Sequence, residues 1–206
     1  MIQVHECEQG SEAWLKARLG IPTASSFSTV MAKGEGKTRG AYMRKLAGEI
    51  LTGEPASSFS NGHMERGKEM EAEARGYYAM LKDADPRLVG FVSNGPKGCS
   101  PDALLSTDGG LEIKTAEPHI LIELLLRDDF PPEHRAQVQG NIWITERDWF
   151  DIIVYWPKMP SLIKRARRDE AYIATMSGEV DRFNDELQIL VAKLRRYGVG
   201  PAEIAA

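Results

Sequence analysis

The stretch SPDALLSTDGGLEIK, residues 100 to 114, limits what the chain can form more than any other segment. Its last residues alternate between apolar and polar, so Glu112 and Lys114 share one face of a predicted strand and the apolar residues share the other. The Gly-rich STDGG segment is typical of a turn that joins antiparallel strands. Folding the chain about Asp108 predicts a β-hairpin in which Asp102 lies opposite Lys114 and diagonally across from Glu112.

Helices and strands are predicted on both sides of this hairpin. An N-terminal helical segment breaks at Gly20 and Pro22 and restarts at Thr23, and the turn-rich stretch 52 to 62 is expected to be a surface loop. The order of elements predicts one α/β (α+β) domain over residues 1 to 206, with a mixed β-sheet flanked by helices. The other predicted elements are helices over 40 to 52 and 64 to 81, a strand at FVS, buried helices over 120 to 126 and 131 to 145, a strand over 148 to 156, and an amphipathic C-terminal helix ending at Gly198.

Length and composition exclude several classes of protein. With 206 residues and 42% hydrophobic content, the chain can bury a core without disulfides or a structural metal. Cys7 and Cys99 lack the spacing of a zinc site or a disulfide framework. No apolar run is long enough to cross a membrane, and the N-terminus lacks the pattern of a signal peptide. We therefore expect an unprocessed, soluble protein of the cytoplasm that does not bind a membrane.

The charge of the chain is unevenly distributed. The formal net charge is −4, which argues weakly against a general binder of polyanions. Between residues 13 and 47, however, seven Lys or Arg residues accompany only one acid, and residues 158 to 168 add five more basic residues. These segments are either binding surfaces for a phosphate backbone or the solvated faces of ordinary helices.

The acids of the predicted hairpin suggest a chemistry. Carboxylates on neighbouring strands hold hard divalent cations such as Mg²⁺, and a lysine beside them can orient water or stabilise developing charge. This pattern is what metal-assisted phosphodiester cleavage requires. A lone Glu-x-Lys is weak evidence, because most such pairs lie on the surface and contribute less than about 1 kcal/mol. The Pro-Asp before the turn and an acidic helix upstream strengthen it. In that helix, periodicity leaves both Glu71 and Glu73 as candidates.

Three amides lie on the predicted helix over residues 131 to 145. This helix is apolar around its whole circumference, so Gln137, Gln139 and Asn141 are expected to be buried and to need hydrogen-bond partners. They either serve a site or satisfy backbone groups in the core, and the second interpretation has more weight for Gln139 and Asn141 than for Gln137.

Five motifs follow one another along most of the chain: WLKARLGIPTASS, RGKEMEAEAR, CSPDALL, GLEIK, and AQVQGNIWIT before an aromatic strand. In this order they resemble the phage lambda exonuclease and YqaJ-like recombination nucleases, a family of the PD-(D/E)xK nuclease superfamily. The resemblance implies a restriction-endonuclease-like core. It also implies that Asp102 and Glu112 are metal-binding acids, that the Ile113 carbonyl completes the coordination, and that Lys114 is the catalytic lysine. Of the two helical acids, the resemblance selects Glu71 for the catalytic and metal-binding set.

The resemblance assigns roles to residues outside the hairpin as well. Gln137 matches the motif glutamine of AQVQ and is implied to be catalytic. A second set is implied to bind DNA and its 5′-terminal phosphate, with Met64 as an apolar wedge between the strands: Arg18, Thr23, Ser25, Ser100 and Met64. Because Ser100 and Asp102 are two residues apart, we expect them on one strand facing the same cleft.

By this resemblance the chain is expected to be a Mg²⁺-dependent 5′-to-3′ exonuclease, with Mn²⁺ as a possible substitute. It would digest one strand of linear double-stranded DNA and leave a 3′ single strand for a phage-type annealing protein. The resemblance further implies a ring-shaped homotrimer around DNA and a phage or prophage protein that acts in the bacterial cytoplasm.

Two alternatives remain at this point. The catalytic residues do not separate recognition of DNA ends from internal cutting, so an endonuclease of the same superfamily is one alternative. A DNA-binding recombination scaffold without catalysis is the other. The intact set of Glu71, Asp102, Glu112 and Lys114 counts against a scaffold.

Overall fold

The computed structural model describes residues 1–32, 37–56 and 62–197, except for the side chains of residues 62–66 and 68. Its strands are β1 (Ile2–His5), β2 (Phe91–Asn94), β3 (Gly98–Cys99), β4 (Ala103–Leu105), β5 (Gly109–Thr115), β6 (Trp149–Tyr155) and β7 (Leu162–Arg167). Its helices are α1 (Glu12–Ala17), α2 (Phe27–Val30), α3 (Lys37–Thr52), α4 (Gly62–Lys82), α5 (Pro118–Arg127), α6 (Arg135–Thr145) and α7 (Glu170–Arg195), with short 3₁₀ turns at Ala24–Ser26 and Pro132–His134.

The strands form two sheets flanked by helices, which confirms the predicted mixed α/β class. An antiparallel sheet has the order β1-β2-β3, and a second sheet has the order β4-β5-β6-β7. The second sheet is mixed, because β5 and β6 are parallel whereas its other two pairs are antiparallel. The connection from β5 to β6 runs through α5 and α6, as parallel strands require a long crossover. The mixed sheet is the predicted one, and the antiparallel sheet β1-β2-β3 is an addition to the prediction.

Helices cover both faces of the mixed sheet at β6. On one face Ala74 and Tyr78 of α4 pack against Ile153, and on the other Phe150 packs into the core formed by α6 and α7. Burial on both faces explains why this strand is almost continuously apolar and why it could be recognised from the sequence. The arrangement places α6 over the face of β5 that carries Glu112.

The hairpin forms, but its register differs from the prediction by two residues. Ala103 pairs with Leu111, so continuing the pairing by one residue puts Asp102 across from Glu112 and not across from Lys114. The cause is that Gly109 and Gly110 belong to β5 and not to the turn. A Cβ on Gly109 would lie 2.1 Å from the Trp149 ring, and one on Gly110 would lie 2.2 Å from the Phe150 ring. Aromatic side chains of β6 thus cover these glycines and hold them in the strand.

Most predicted helices and strands are present, with several corrections. β1, β3 and β7 were not predicted, and β7 occupies much of the second basic segment. The helix α5 is only partly buried, because Ile122 is 49% exposed and Leu126 is 81% exposed. Residues 100 to 102 join the two sheets and belong to neither, so Ser100 and Asp102 do not share a strand. Gly198, the predicted end of α7, lies outside the described residues, as does part of the predicted loop over 52 to 62.

A close helix contact brings the N-terminal segment to α6. A Cβ on Gly140 would lie 2.7 Å from the Phe27 ring and 2.9 Å from the Ala24 Cβ, so only glycine permits this approach. The approach places the turn after Thr23 beside the helix that carries Gln137. Over the described ranges, none of the helices has the length and hydropathy needed to cross a bilayer.

Candidate active site

The centre of the candidate site is the carboxylate of Glu112, which is only 2% exposed. Three side chains donate hydrogen bonds to it. Lys114 Nζ and Gln137 Nε2 lie 2.7 Å and 2.5 Å from Oε1, and Asn141 Nδ2 lies 2.8 Å from Oε2. Strand alternation places Glu112 and Lys114 on one face of β5, and a spacing of four residues places both amides on one face of α6. The face of the strand and the face of the helix meet at this carboxylate.

Asp102 enters the site from the link between the two sheets. Its Oδ2 accepts a hydrogen bond from the backbone N–H of Ile113 at 2.5 Å. The N–H and C=O of one strand residue point to the same side of the strand. The Ile113 carbonyl is therefore directed toward the side on which Asp102 lies, as its predicted role in metal coordination requires.

The site holds more negative charge than its own lysine neutralises. Burial, followed by the charges of Glu112 and Glu71, raises the pKa of Asp102 well above its ordinary value. Burial also raises the pKa of Glu112, although Lys114 and Asn141 oppose this shift. Burial lowers the pKa of Lys114, but the charges of Glu112, Asp102 and Glu71 outweigh it and the net shift is upward. Lys114 is therefore an ammonium ion at neutral pH, beside three acids.

The structure distinguishes Glu71 from Glu73, the two candidate acids that helical periodicity could not separate. Glu71 lies near enough for its charge to act on Asp102 and Glu112, and its Oε1 accepts a hydrogen bond from Arg75 Nη1 at 3.2 Å. Glu73 instead lies beside Tyr155, whose pKa is raised by burial and by that carboxylate. The geometry supports the choice of Glu71 over Glu73.

The donors fit a hard divalent cation. Within the described part of the chain, no three His, Cys, Asp or Glu side chains are arranged as a ready-made metal site. Mg²⁺, however, usually takes only one or two protein carboxylates and fills its other positions with water and substrate phosphate. Asp102, Glu112 and the Ile113 carbonyl supply oxygen ligands of that kind, and a cation there would compensate the excess charge that raises the pKa of Asp102.

Another buried acid, Asp151 on β6, is excluded from this site. It is paired in register with Leu111, so its side chain lies on the sheet face opposite Glu112. Tyr78 Oη donates to it at 2.7 Å, and Arg165 donates to its two oxygens at 2.7 Å and 2.9 Å. These contacts satisfy the carboxylate, which makes Asp151 a structural ion pair.

Three of the residues assigned to the 5′-phosphate pocket form a chain of contacts. Arg18 Nη2 lies 3.4 Å from Thr23 Oγ1, which lies 3.3 Å from Ser25 Oγ. Among the described residues Arg18 makes no ion pair, although the charge of Glu49 acts on its pKa, which burial lowers. A half-buried arginine without an ion-paired carboxylate retains donors for a phosphate.

Trp14 links the contacts of Arg18, Thr23 and Ser25 to Ser100, which was assigned to the same pocket. The Arg18 guanidinium lies 4.0 Å from the centre of the Trp14 ring, and Trp14 Nε1 donates to Ser100 Oγ at 2.8 Å. Trp14 was not predicted as a site residue, because an isolated tryptophan usually belongs to a core; its place in the WLKARLG motif was the available signal. The side chain of Met64 lies outside the described residues.

Part of each basic segment pairs with acids of the chain. In the first, Arg39 donates to Glu186 and its side chain is 15% exposed. In the second, Lys164, Arg165 and Arg168 form ion pairs with nearby acids. Lys33 lies outside the described residues. The structural interpretation is favoured for these paired residues, whereas Arg18 lies beside Thr23, among the residues predicted for the phosphate pocket.

The comparisons with known proteins identify the family. The model of the YqaJ-like viral recombinase domain matches residues 13–148, well over half of the chain. The chain belongs to the YqaJ-like viral recombinase family. This match confirms the resemblance seen in the motifs, and the family description implies a role in recombination. No protein with a curated description matches the chain significantly.

Solved structures support this membership of the YqaJ-like family. The exonuclease LHK-Exo in complex with dAMP is 33% identical, with 90% of this chain and 97% of LHK-Exo covered and a TM-score of 0.83. A structure of LHK-Exo described as an alkaline exonuclease from Laribacter hongkongensis has 31% identity, the same coverage and a TM-score of 0.81. A phage-related exonuclease from Haemophilus somnus 129PT, with 15% identity, coverage of 84% and 96%, and a TM-score of 0.65, shares the fold.

Proposed function

We propose that this member of the YqaJ-like family is a Mg²⁺-dependent exonuclease that digests one strand of linear double-stranded DNA from its 5′ end and leaves a 3′ single strand. The observation that carries the proposal is the convergence of Lys114, Gln137 and Asn141 on the buried Glu112, next to Asp102. This is the set of groups that metal-assisted phosphodiester hydrolysis requires. The similar structures of LHK-Exo, a protein named as an exonuclease, support the same reaction.

The residues of the site have different roles in the proposed reaction. Asp102, Glu112 and the Ile113 carbonyl would hold Mg²⁺, or Mn²⁺ as a substitute, and Glu71 contributes negative charge beside them. When bound, the cation supplies a water of lowered pKa and compensates charge on the phosphate. Lys114 donates hydrogen bonds as an ammonium ion and stabilises negative charge at the reacting phosphate. Gln137 holds Glu112 and keeps its carboxylate directed into the site.

The wider setting follows from the resemblance to the lambda exonuclease. We propose that the chain assembles as a ring-shaped homotrimer around DNA and passes its 3′ single strand to a single-strand annealing protein. As a phage or prophage protein it would act in the cytoplasm of the bacterial host.

The proposed reaction is tested on linear and on covalently closed circular DNA. Linear duplex DNA is expected to lose one strand in the presence of Mg²⁺, while covalently closed circular DNA of the same sequence stays intact. Gel electrophoresis with strand-specific end labels would follow the loss of each 5′-terminated strand. Cutting of the circle would indicate the endonuclease alternative, and binding without cleavage of either DNA would indicate the scaffold.

Arg18 is expected to select 5′-phosphorylated ends. Arg18→Ala removes the guanidinium group that lies beside Thr23 and Ser25. A hydrogen bond to a charged group contributes about 1.5–3 kcal/mol. We therefore expect digestion of 5′-phosphorylated duplex to slow by roughly 10- to 100-fold, with a much smaller loss on 5′-hydroxyl duplex. The ratio of the initial rates on the two substrates measures the preference for the 5′-phosphate.

Lys16→Ala is the matched control for this variant. Lys16 lies in the last turn of α1, two residues before Arg18, and pairs with Glu12 at the surface, where its side chain is 67% exposed. The control should keep the wild-type preference for the phosphate. Equal losses on both substrates in Arg18→Ala, together with a lower melting temperature, would show that Arg18 only steadies the N-terminal helix.

A further inference from the structure

Asn141 reaches the one oxygen of Glu112 that the other two donors leave free. Lys114 and Gln137 both contact Oε1, whereas Asn141 Nδ2 contacts Oε2 at 2.8 Å. The Asn141 side chain is 1% exposed and Glu112 is 2% exposed, so water does not compete for this bond. The contact therefore belongs to the interior between α6 and β5.

A neighbouring amide on the same helix shows that this contact is specific to position 141. Gln139 is also buried, at 4% exposure, but its Nε2 donates to the Arg167 carbonyl at 2.8 Å and its Oε1 accepts from the Asp169 N–H at 3.0 Å. Gln139 thus satisfies backbone groups and does not touch the site. Burial of an amide on α6 does not by itself require a carboxylate partner, and Asn141 has one.

The second oxygen matters because a carboxylate can rotate. The last torsion of a glutamate side chain is broad and only weakly held. Two donors on Oε1 restrain this torsion through one oxygen only. A donor on Oε2 restrains it through the other oxygen as well, so the carboxylate is held at both oxygens. A carboxylate offers roughly four lone-pair sites, so three donors leave about one for a cation.

We infer that Asn141 is a positioning residue that restrains the second oxygen of the Glu112 carboxylate, so that its remaining lone pair is presented to the metal ion. The inference rests on the proposed metal-dependent reaction. Asn141 does not touch substrate or metal in this role. It acts only through Glu112.

The test replaces each amide by its apolar isostere. Asn141→Leu removes the donor to Oε2 with little change of shape, and Gln139→Met does the same to the backbone contacts of Gln139. Loss of a partner that orients a metal ligand typically costs about 10- to 100-fold in metal affinity. Calorimetry of the DNA-free protein is therefore expected to show Mg²⁺ affinity lowered by at least about tenfold in Asn141→Leu and unchanged in Gln139→Met.

A second readout and a second variant keep the test decisive. The Mg²⁺ concentration that gives the half-maximal rate should rise in Asn141→Leu while the rate at saturating Mg²⁺ changes less. Asn141→Ser, whose hydroxyl is too short to reach Oε2, should show the same loss of Mg²⁺ affinity if Asn141→Leu does not fold. Wild-type affinity in the Asn141 variants, or an equal loss in Gln139→Met, would overturn the inference. A wild-type protein that binds no Mg²⁺ would instead contradict the proposed function itself.

Discussion

Asp102→Asn and Glu112→Gln are each expected to lower the rate of DNA digestion by at least about 10³-fold, because a metal ion contributes several kcal/mol to the transition state and each tenfold in rate is about 1.4 kcal/mol. Both substitutions keep the size of the side chain and remove one anionic ligand. The rate should be measured on 5′-phosphorylated linear duplex at saturating Mg²⁺, beside circular dichroism of the folded protein. Activity near the wild-type level in either variant would show that the catalytic acids are elsewhere.

The two variants should differ in stability. The pKa of Asp102 is raised in the folded protein, so the folded state binds more protons than the unfolded state at pH values between the ordinary and the raised pKa. The ionised carboxyl therefore costs stability as the pH rises through that range. Asp102→Asn removes this cost, and its melting temperature in the absence of metal should exceed that of the wild type at about pH 8 and not at about pH 4.

Glu112→Gln is expected to lower the stability of the metal-free protein, in contrast to Asp102→Asn. It removes the anion that Lys114 Nζ contacts at 2.7 Å, which leaves a largely buried ammonium without its nearest partner. Leaving one charge of a buried pair uncompensated is destabilising. We expect Glu112→Gln to melt at a lower temperature than Asp102→Asn under the same metal-free conditions, although both are inactive. A lower melting temperature of Asp102→Asn than of the wild type at alkaline pH would contradict the charge balance described for the site.

Local patterns in the sequence were enough to find the strand and helix that meet at the site. Alternation placed Glu112 and Lys114 on one face of β5. The all-round apolar helix predicted that Gln137 is buried, whereas Gln137 is half-buried where it contacts Glu112. The hairpin register could not be derived in this way, because it depends on Trp149 and Phe150, which lie about 40 residues further along the chain and cover the two glycines. Register is a tertiary property whenever the turn residues can also belong to the strand.

Two edge strands and the hydrogen-bond partners of the buried amides could not be predicted, for related reasons. β1 has only four residues and exists because it pairs with β2, nearly 90 positions later. β7 carries charged residues at a sheet edge, so its sequence looks like a basic surface segment. Gln139 and Asn141 were treated alike because the helix is apolar all round; the four-residue spacing of Asn141 from Gln137 was the signal that separates them, and the packing of α6 on β5 shows that this face meets Glu112. The family resemblance, in contrast, selected Glu71 over Glu73 before any contact was known, and the geometry of the site favours the same acid.

Lys114→Met is expected to reduce the rate by about 10²- to 10³-fold while Mg²⁺ affinity stays within about tenfold of the wild type. In the metal-free protein the charges of Glu112, Asp102 and Glu71 overcome the effect of burial and raise the pKa of Lys114, which favours its ammonium form. Its contribution must come from its charge and its donors. Methionine keeps the length of the stem and removes both.

Lys164→Met is the matched control for Lys114→Met. Both lysines have side chains that are 27% exposed, and both pair with an acid, Lys164 with Asp128 at 2.9 Å. Lys164 lies on β7, two strands across the sheet from Glu112, and its partner Asp128 is not part of the site, so its variant should keep the wild-type rate. Single-turnover cleavage at saturating Mg²⁺ and calorimetry of Mg²⁺ binding separate the possibilities. If Lys114→Met loses its affinity for Mg²⁺ as completely as its rate, the main role of Lys114 is to hold Glu112 for the metal, and its direct action on the reacting phosphate is excluded.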